Sequence, residues 1–322
     1  MTIQYDSMNQ VIDRVIENVE KVLVGKRHTA ELAIVALLAN GHVLLEDVPG
    51  VGKTMLVRAI AKSLGAEFKR IQFTPDLLPS DLTGMSIYNQ KEMNFEFRPG
   101  PLLANIVLAD EINRTSPKTQ AALLEGMEEG SVTVDGETRV LPRPFFVMAT
   151  QNPIEYEGTF PLPEAQLDRF IMKISMGYPT RSEEVEVLNR MITSQPIEDI
   201  KPVITIEEVL QLQEKTKEVH VEDSIKEYIV EIITRTRHHH DIYLGVSPRG
   251  SLALLKACQA YALINERDYV IPDDVKHLAP YVLGHRLILK PEAKFTNVEV
   301  GEVIADVIKR VKVPIFKRGG TA

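Results

Sequence analysis

The sequence predicts an α/β fold, in which a parallel sheet with helices on both faces carries two β-hairpin inserts and is followed by a smaller all-α domain. Three observations predict it. A glycine-rich run sits between a short apolar strand and an amphipathic helix; a second apolar run downstream ends in paired carboxylates; and beyond Pro179 the chain reads as helices alone. Residues 1–180 are therefore assigned to the α/β domain and 181–322 to the helical domain.

Residues 8–40 read as helical, with Val24-Gly25-Lys26 preceding the helix that leads to the first strand. His42-Val43-Leu44-Leu45 reads as a buried strand, and after Thr54 the residues Val57, Ile60, Ala61 and Leu64 recur at helical spacing until Gly65 offers a C-cap. The run from Glu46 to Thr54 therefore opens a helix. At such a start the backbone N–H groups and the positive end of the dipole converge on an anion, and Gly50 and Gly52 have no Cβ to hold phosphate oxygens away. Lys53 is expected to reach the terminal phosphates and Thr54 to hold Mg²⁺, with Pro49, Val51 and Met55 completing the lining. Asp47 replaces the first glycine of G-x-x-x-x-G-K-[ST]. The competing reading is a strand-to-helix turn with a solvated lysine.

Between residues 82 and 103 two short β-like runs, Met85 to Tyr88 and Phe95 to Phe97, flank a polar turn. Asn105-Ile106-Val107-Leu108-Ala109 is the continuous apolar run of a strand covered on both faces, and it ends in Asp110-Glu111. Carboxylates at the carboxyl end of a buried strand lie where open α/β sheets bind ligands. Asp110 is expected to hold the metal shell and Glu111 to polarise an attacking water, although a helix N-cap at Asp110 is the ordinary alternative. A second hairpin follows, Val132 to Val134 and Thr138 to Val140 about Asp135-Gly136. Phe145 to Thr150 is another buried strand, stopped by Gln151-Asn152-Pro153 so that Asn152 can sense a γ-phosphate. Pro163 to Phe170 reads as a short helix ending in Arg169, which residue chemistry alone would pair with Asp168 at the surface.

In the helical part, Thr180 with Glu183 and Thr205 with Glu208 form capping boxes. Ser247-Pro248 supplies an N-cap and an N1 proline, which leaves Arg249 in a first turn, where a cation needs a non-local anion. His238-His239-His240-Asp241 invites a metal reading, but consecutive residues on a helix point in different directions, which argues against it. The net charge of −8 argues against a nucleic-acid surface, although a local basic pore could hide within an acidic whole. Cys258, the one cysteine, lies in an apolar helix and is read as a core residue of a reducing compartment. The stretch from Leu32 to Ala39 is too short to span a bilayer, and the polar N-terminus shows no signal peptide. A soluble cytoplasmic protein without direct membrane insertion is expected.

Four blocks carry a resemblance: Ile71 to Asp81, Leu108-Ala109-Asp110-Glu111-Ile112-Asn113-Arg114, Ala149-Thr150-Gln151-Asn152-Pro153 and Glu164 to Phe170. Together with the glycine run they resemble the MoxR family of AAA+ ATPases over nearly the whole chain. The resemblance implies ATP and Mg²⁺ as cofactors, Lys53 and Thr54 as Walker A, Asp110 and Glu111 as Walker B, and Asn152 as sensor 1. It further implies Arg169 as arginine finger, Arg249 as sensor 2, and Val24 and Gly25 as contacts of the adenine; Asp47 is ordinary for the family. Members are usually hexameric rings in which the finger completes a neighbour's site. Their two hairpins face the ring pore, whereas residue chemistry alone leaves ordinary surface hairpins open. The function implied is chaperone-like remodelling or maturation of partner proteins, often with von Willebrand factor A domains, sometimes metalloenzymes or envelope complexes. Two rivals remain: a nucleic-acid-translocating motor, and a nucleotide-switched scaffold, against which intact Glu111 and Arg169 argue.

Overall fold

The computed structural model describes residues 5–46, 50–151, 158–193 and 196–314. The chain divides into two compact units, residues 1–214 and 215–322. The first opens with helices α1 (Tyr5–Val22) and α2 (Arg27–Leu38), parted by Gly25 at φ +71°. From Thr29 to Leu38 every residue of α2 except Glu31 is buried, so this helix is apolar nearly all round. It leads to β1 (Val43–Glu46), α3 (Lys53–Ser63), β2 (Phe68–Gln72) and a short α4 (Pro79–Thr83). The hairpin β3 (Gly84–Asn89) and β4 (Asn94–Pro99) comes next, then β5 (Ile106–Asp110), α5 (Pro117–Glu129) and the hairpin β6 (Ser131–Val134) and β7 (Glu137–Val140). The unit continues through β8 (Phe146–Gln151), α6 (Glu164–Leu167), β9 (Met172–Ile174), α7 (Arg181–Thr193), α8 (Pro196–Asp199) and most of α9 (Ile206–Glu218).

Five strands form one sheet in the order β2-β5-β8-β1-β9, every pair parallel. The three central strands are buried up to their last residue, as the unbroken apolar runs require when helices cover both faces. Edge strand β2 instead exposes Lys69 and Arg70. Helix α3 seats Val57, Ile60 and Ala61 in the core, as their spacing predicts, with Leu56 beside them, and the larger of these side chains each contribute about 1.5–3 kcal/mol. Gly65 follows it at φ +60°, the C-cap position read from the sequence.

Both hairpins are present, the second turning on Asp135 and Gly136 at φ +53° and +79°. The guanidinium of Arg139 on β7 stands 3.8 Å over the Phe97 ring on β4, so the two hairpins touch rather than project separately.

The capping boxes form as expected: Glu183 accepts from Thr180 N–H and Glu208 from Thr205 N–H, at 2.7 and 2.8 Å. The unit boundary, however, falls at 214/215, whereas the sequence changes character at 180/181. Residues 181–214 hold to the first unit through hydrogen bonds: Arg190 donates to the carbonyls of Glu20 and Lys21, Asn18 to that of Lys201, and Gln213, in a buried bond, to that of Leu37.

The second unit contains α10 (Asp223–His238), β10 (Ile242–Leu244), α11 (Pro248–Ile264), α12 (Pro272–Leu283), β11 (Ile288–Leu289), α13 (Pro291–Phe295) and α14 (Val300–Arg310). It is not wholly helical, because β10 and β11 pair antiparallel. Arg267 grips the buried Asp274 with two hydrogen bonds of 2.8 and 2.6 Å, which spares that carboxylate an unpaired burial. Cys258 is fully buried, and burial pushes its thiol well up, so it is a core residue. Helix α10 ends at His238, which corrects the helical premise applied to the histidine run. His239 and His240 lie beyond it with rings stacked at 4.4 Å, and His239, His240 and Asp241 bring one donor atom each within 4.8 Å of one another. These groups are engaged locally: His239 Nε2 meets Asp306 at 3.1 Å, His239 Nδ1 accepts from Asp241 N–H, and His240 Nε2 meets Asp241 at 3.1 Å.

A candidate nucleotide site at the strand ends

The loop after β1 and the carboxylates ending β5 flank the same neighbour, β8, because β8 pairs with both strands in parallel register. The glycine run and Asp110-Glu111 are therefore brought to one sheet edge. Pro49 of the loop and Asn152 beyond β8 lie outside the described residues. Gly50 stands at φ +89° with no atom of the described residues within 4 Å of a would-be Cβ, and Gly52 caps α3 at φ +98°. The two glycines at positive φ, Gly50 over open space and Gly52 against Leu23, let the backbone turn before the helix begins. Lys53, Thr54 and Met55 form the first turn of α3, which carries no acidic residue, so an anion meets the dipole without a competing charge.

The carboxylates are positioned by groups to which the sequence assigned no role. Thr150, buried on β8, donates through Oγ1 to Asp110 Oδ1 at 2.7 Å and accepts from Glu111 N–H at 2.8 Å. One hydroxyl thus fixes both residues. Arg70 Nη2 donates to Asp110 Oδ2 at 2.6 Å, while Gln72 Nε2 and Arg114 Nη1 donate to Glu111 Oε2 at 3.0 and 3.1 Å. The parallel pairing of Gln72 opposite Asp110 explains why β2 supplies two of these donors. Glu111 itself adopts φ +58°, ψ +50°, a left-handed conformation costly for a residue with a Cβ and common where a side chain is held for chemistry.

Arg169 follows α6, and its partner is Glu128 on α5 at 3.0 Å, not the adjacent Asp168 that local chemistry suggested. Arg249 stands in the first turn of α11, preceded by Ser247 at the N-cap position and Pro248 at N1, in the second unit. Val24 and Gly25 lie in the link between α1 and α2.

Two family models match the chain: the ATPase family associated with various cellular activities (AAA) over residues 42–172, and the AAA lid domain over 234–307. Chaperone MoxR1 of Mycobacterium tuberculosis is 44% identical over 94% of this chain and 82% of its own length. The chain belongs to the MoxR family of AAA+ ATPases. Other MoxR relatives are similar over most of their length, among them Protein MoxR of Methylorubrum extorquens, 30% identical over 91% of each chain. A Bacillus subtilis protein named YeaC is 63% identical over 96% of this chain and 97% of its own. A crystal structure of a Cytophaga hutchinsonii protein superposes with a TM-score of 0.91 at 40% identity, covering 97% of both chains. The sheet followed by a mostly helical unit is thus the AAA+ α/β domain and lid of a MoxR-family protein. Among the described residues, no helix is long and apolar enough to cross a membrane.

Proposed function

We propose that this MoxR-family chain hydrolyses ATP with Mg²⁺ in a homo-oligomeric ring, a hexamer, and uses the energy to remodel or mature a protein client, with von Willebrand factor A domain proteins the first candidates. The observation that carries the catalytic part is the shared hydroxyl of Thr150, which sets Asp110 and Glu111 together at the end of β5 beside the glycine loop.

The residues present fit the cofactors. The open space over Gly50 suits phosphate oxygens, and Asp110, about one-seventh exposed, already gathers a cationic partner in Arg70. Lys53 would offset charge on the terminal phosphates, and Thr54 with Asp110 would hold Mg²⁺, which supplies positive charge at the leaving oxygens. Glu111 would take the proton of the attacking water, held for that task by Thr150 on its backbone and by Gln72 and Arg114 on its carboxylate. Asn152 is assigned to orient the γ-phosphate, Val24 and Gly25 to border the base, and Arg249 to contact phosphate as sensor 2. Arg169 is assigned to the neighbouring subunit's site, its pairing with Glu128 being the contact it would leave on assembly.

The hairpins favour a protein client over nucleic acid. Met85, Ile87, Tyr88, Met93 and Phe95 on the first are all exposed, with Met93 and Phe95 about three-quarters so, and Arg139 on the second is occupied by Phe97 and Glu137. Apolar tips of this kind suit polypeptide rather than phosphate backbone. The test is capture by Glu111→Gln with ATP present: proteins should be retained that the parent releases, and no ATP-dependent retention would count against remodelling.

A further inference from the structure

Two segments far apart in sequence border the end of the phosphate loop. A Cβ on Gly52 would lie 2.7 Å from Leu23 Cδ2 and 3.9 Å from Met176 Cε, so both apolar side chains stand directly beside the loop. Leu23 leads into Val24-Gly25-Lys26, and the Lys26 ammonium donates to the carbonyls of Met176 at 2.6 Å and Gly177 at 3.2 Å. Those bonds pin the α1–α2 link to the connection that leaves β9. Gly25, at φ +71°, approaches the start of α7 so closely that a Cβ there would collide with the carboxylate of Glu183. The positive φ favours a glycine at this position, and a Cβ would displace the end of the Glu183 side chain.

The Glu183 carboxylate is held in place by the Thr180 backbone. Its Oε2 accepts from Thr180 N–H at 2.7 Å, and Thr180 Oγ1 returns a bond from Glu183 N–H at 3.4 Å. The Thr180 N–H, with the Lys26 charge as a smaller cause, keeps the Glu183 carboxyl below the usual range, so it is ionised at neutral pH. A capped carboxylate thus aims its second oxygen, Oε1, at Gly25.

A nucleotide whose phosphates rest on Gly50–Thr54 must send its base away from the start of α3; Leu23 and Met176 border the loop there, and Glu183 lies against Gly25 in the link that Leu23 leads into. Leu23 and Met176 offer apolar contact to the faces of a purine. Glu183 offers an acceptor to its edge. We propose that Glu183 reads the base, accepting a hydrogen bond from the exocyclic amine of adenine and disfavouring the carbonyl that guanine carries at the corresponding position. This rests on the reading of Gly50–Thr54 as the phosphate cradle. A hydrogen bond to a charged group, lost in one nucleotide and replaced by repulsion, gives roughly a 10- to 100-fold preference.

The experiment measures dissociation constants of the full chain for ATP and GTP by calorimetry, with Glu183→Gln as the main variant. Glutamine keeps its oxygen for the capping box and turns its NH₂, a donor, toward the base, so the cap survives while the discrimination does not. The parent should prefer ATP by roughly 10- to 100-fold, and Glu183→Gln should bring the ratio to within about threefold, mainly by tightening GTP. Gly25→Ala, whose methyl would push the carboxylate aside, should move the ratio in the same direction and keeps the test open if Glu183→Gln folds poorly. An unchanged ratio in both variants overturns the proposal and leaves Glu183 a helix cap. Equal weakening of both nucleotides, or a parent without preference, overturns it as well. A parent that binds neither nucleotide overturns the cradle reading itself, a failure distinct from loss of selectivity.

Discussion

Arg70 on the edge strand donates to Asp110 at the end of the neighbouring strand, Nη2 to Oδ2 at 2.6 Å, so the carboxylate assigned to Mg²⁺ is held by a guanidinium from β2. Arg70 is about half exposed, and the pair contributes at most about 1 kcal/mol to the fold. Its consequence is competition: the positive charge that neutralises Asp110 opposes the arrival of a second cation. Arg70→Gln should therefore lower the Mg²⁺ concentration that gives half-maximal nucleotide binding, by several-fold, with little change in melting temperature. A higher Mg²⁺ requirement in a titration followed by calorimetry would mean that Arg70 assists the metal or the phosphates.

Lys53 and Glu111 are assigned different work, charge contact and water activation. Lys53→Ala should abolish nucleotide binding, whereas Glu111→Gln should bind ATP as the parent does and hydrolyse it roughly 10²- to 10⁴-fold more slowly. Phosphate release beside a binding isotherm separates the two, and parental turnover in Glu111→Gln would remove Glu111 from the role of base.

Arg169 tests the ring. Arginine fingers contribute roughly 10³ to 10⁵ in rate, far above the effect of a surface ion pair such as the one with Glu128. Arg169→Ala should bind ATP normally and barely hydrolyse it, and mixing it with Lys53→Ala should partly restore activity, because some sites then pair a sound cradle with a sound finger. If the two variants co-assemble by native mass spectrometry and no activity returns, Arg169 does not act across an interface.

His42 makes stability depend on pH. Its ring is fully buried, Nδ1 accepting from Val147 N–H at 3.0 Å and Nε2 lying 3.2 Å from the Met127 carbonyl, and burial lowers its pKa to about 4. The folded chain keeps the ring neutral while the unfolded chain protonates near pH 6.5, so stability is full above that pH and falls as pH drops from about 6.5 to 4. The loss attributable to His42 is about 3 kcal/mol across the window. Urea denaturation at pH 7 and pH 4.5 should show this extra loss in the parent and not in His42→Gln, and equal pH slopes would refute it.

The sequence by itself determined the local pieces from which the candidate site is built, because those pieces rest on local backbone form. Glycines before a helix start, apolar strands ending in carboxylates, and the Asp135-Gly136 turn are short-range patterns whose physics is complete within a few residues. What a residue meets from another strand was not legible. Arg70, Gln72 and Thr150 serve Asp110 and Glu111 through parallel register, which depends on strand order, and strand order is settled by the packing of the whole sheet. Arg169 turned to Glu128 rather than Asp168 for the same reason, since side chains adjacent in sequence at a helix end diverge while a distant helix can approach. The β10–β11 ribbon escaped notice because strands of three and two residues carry too little periodicity to register. Residues 181–214 joined the first unit because their carbonyl and amide contacts lie with α1 and α2, which local helix patterns do not reveal. Composition and spacing name the chemistry a residue can do; long-range packing decides which groups surround it.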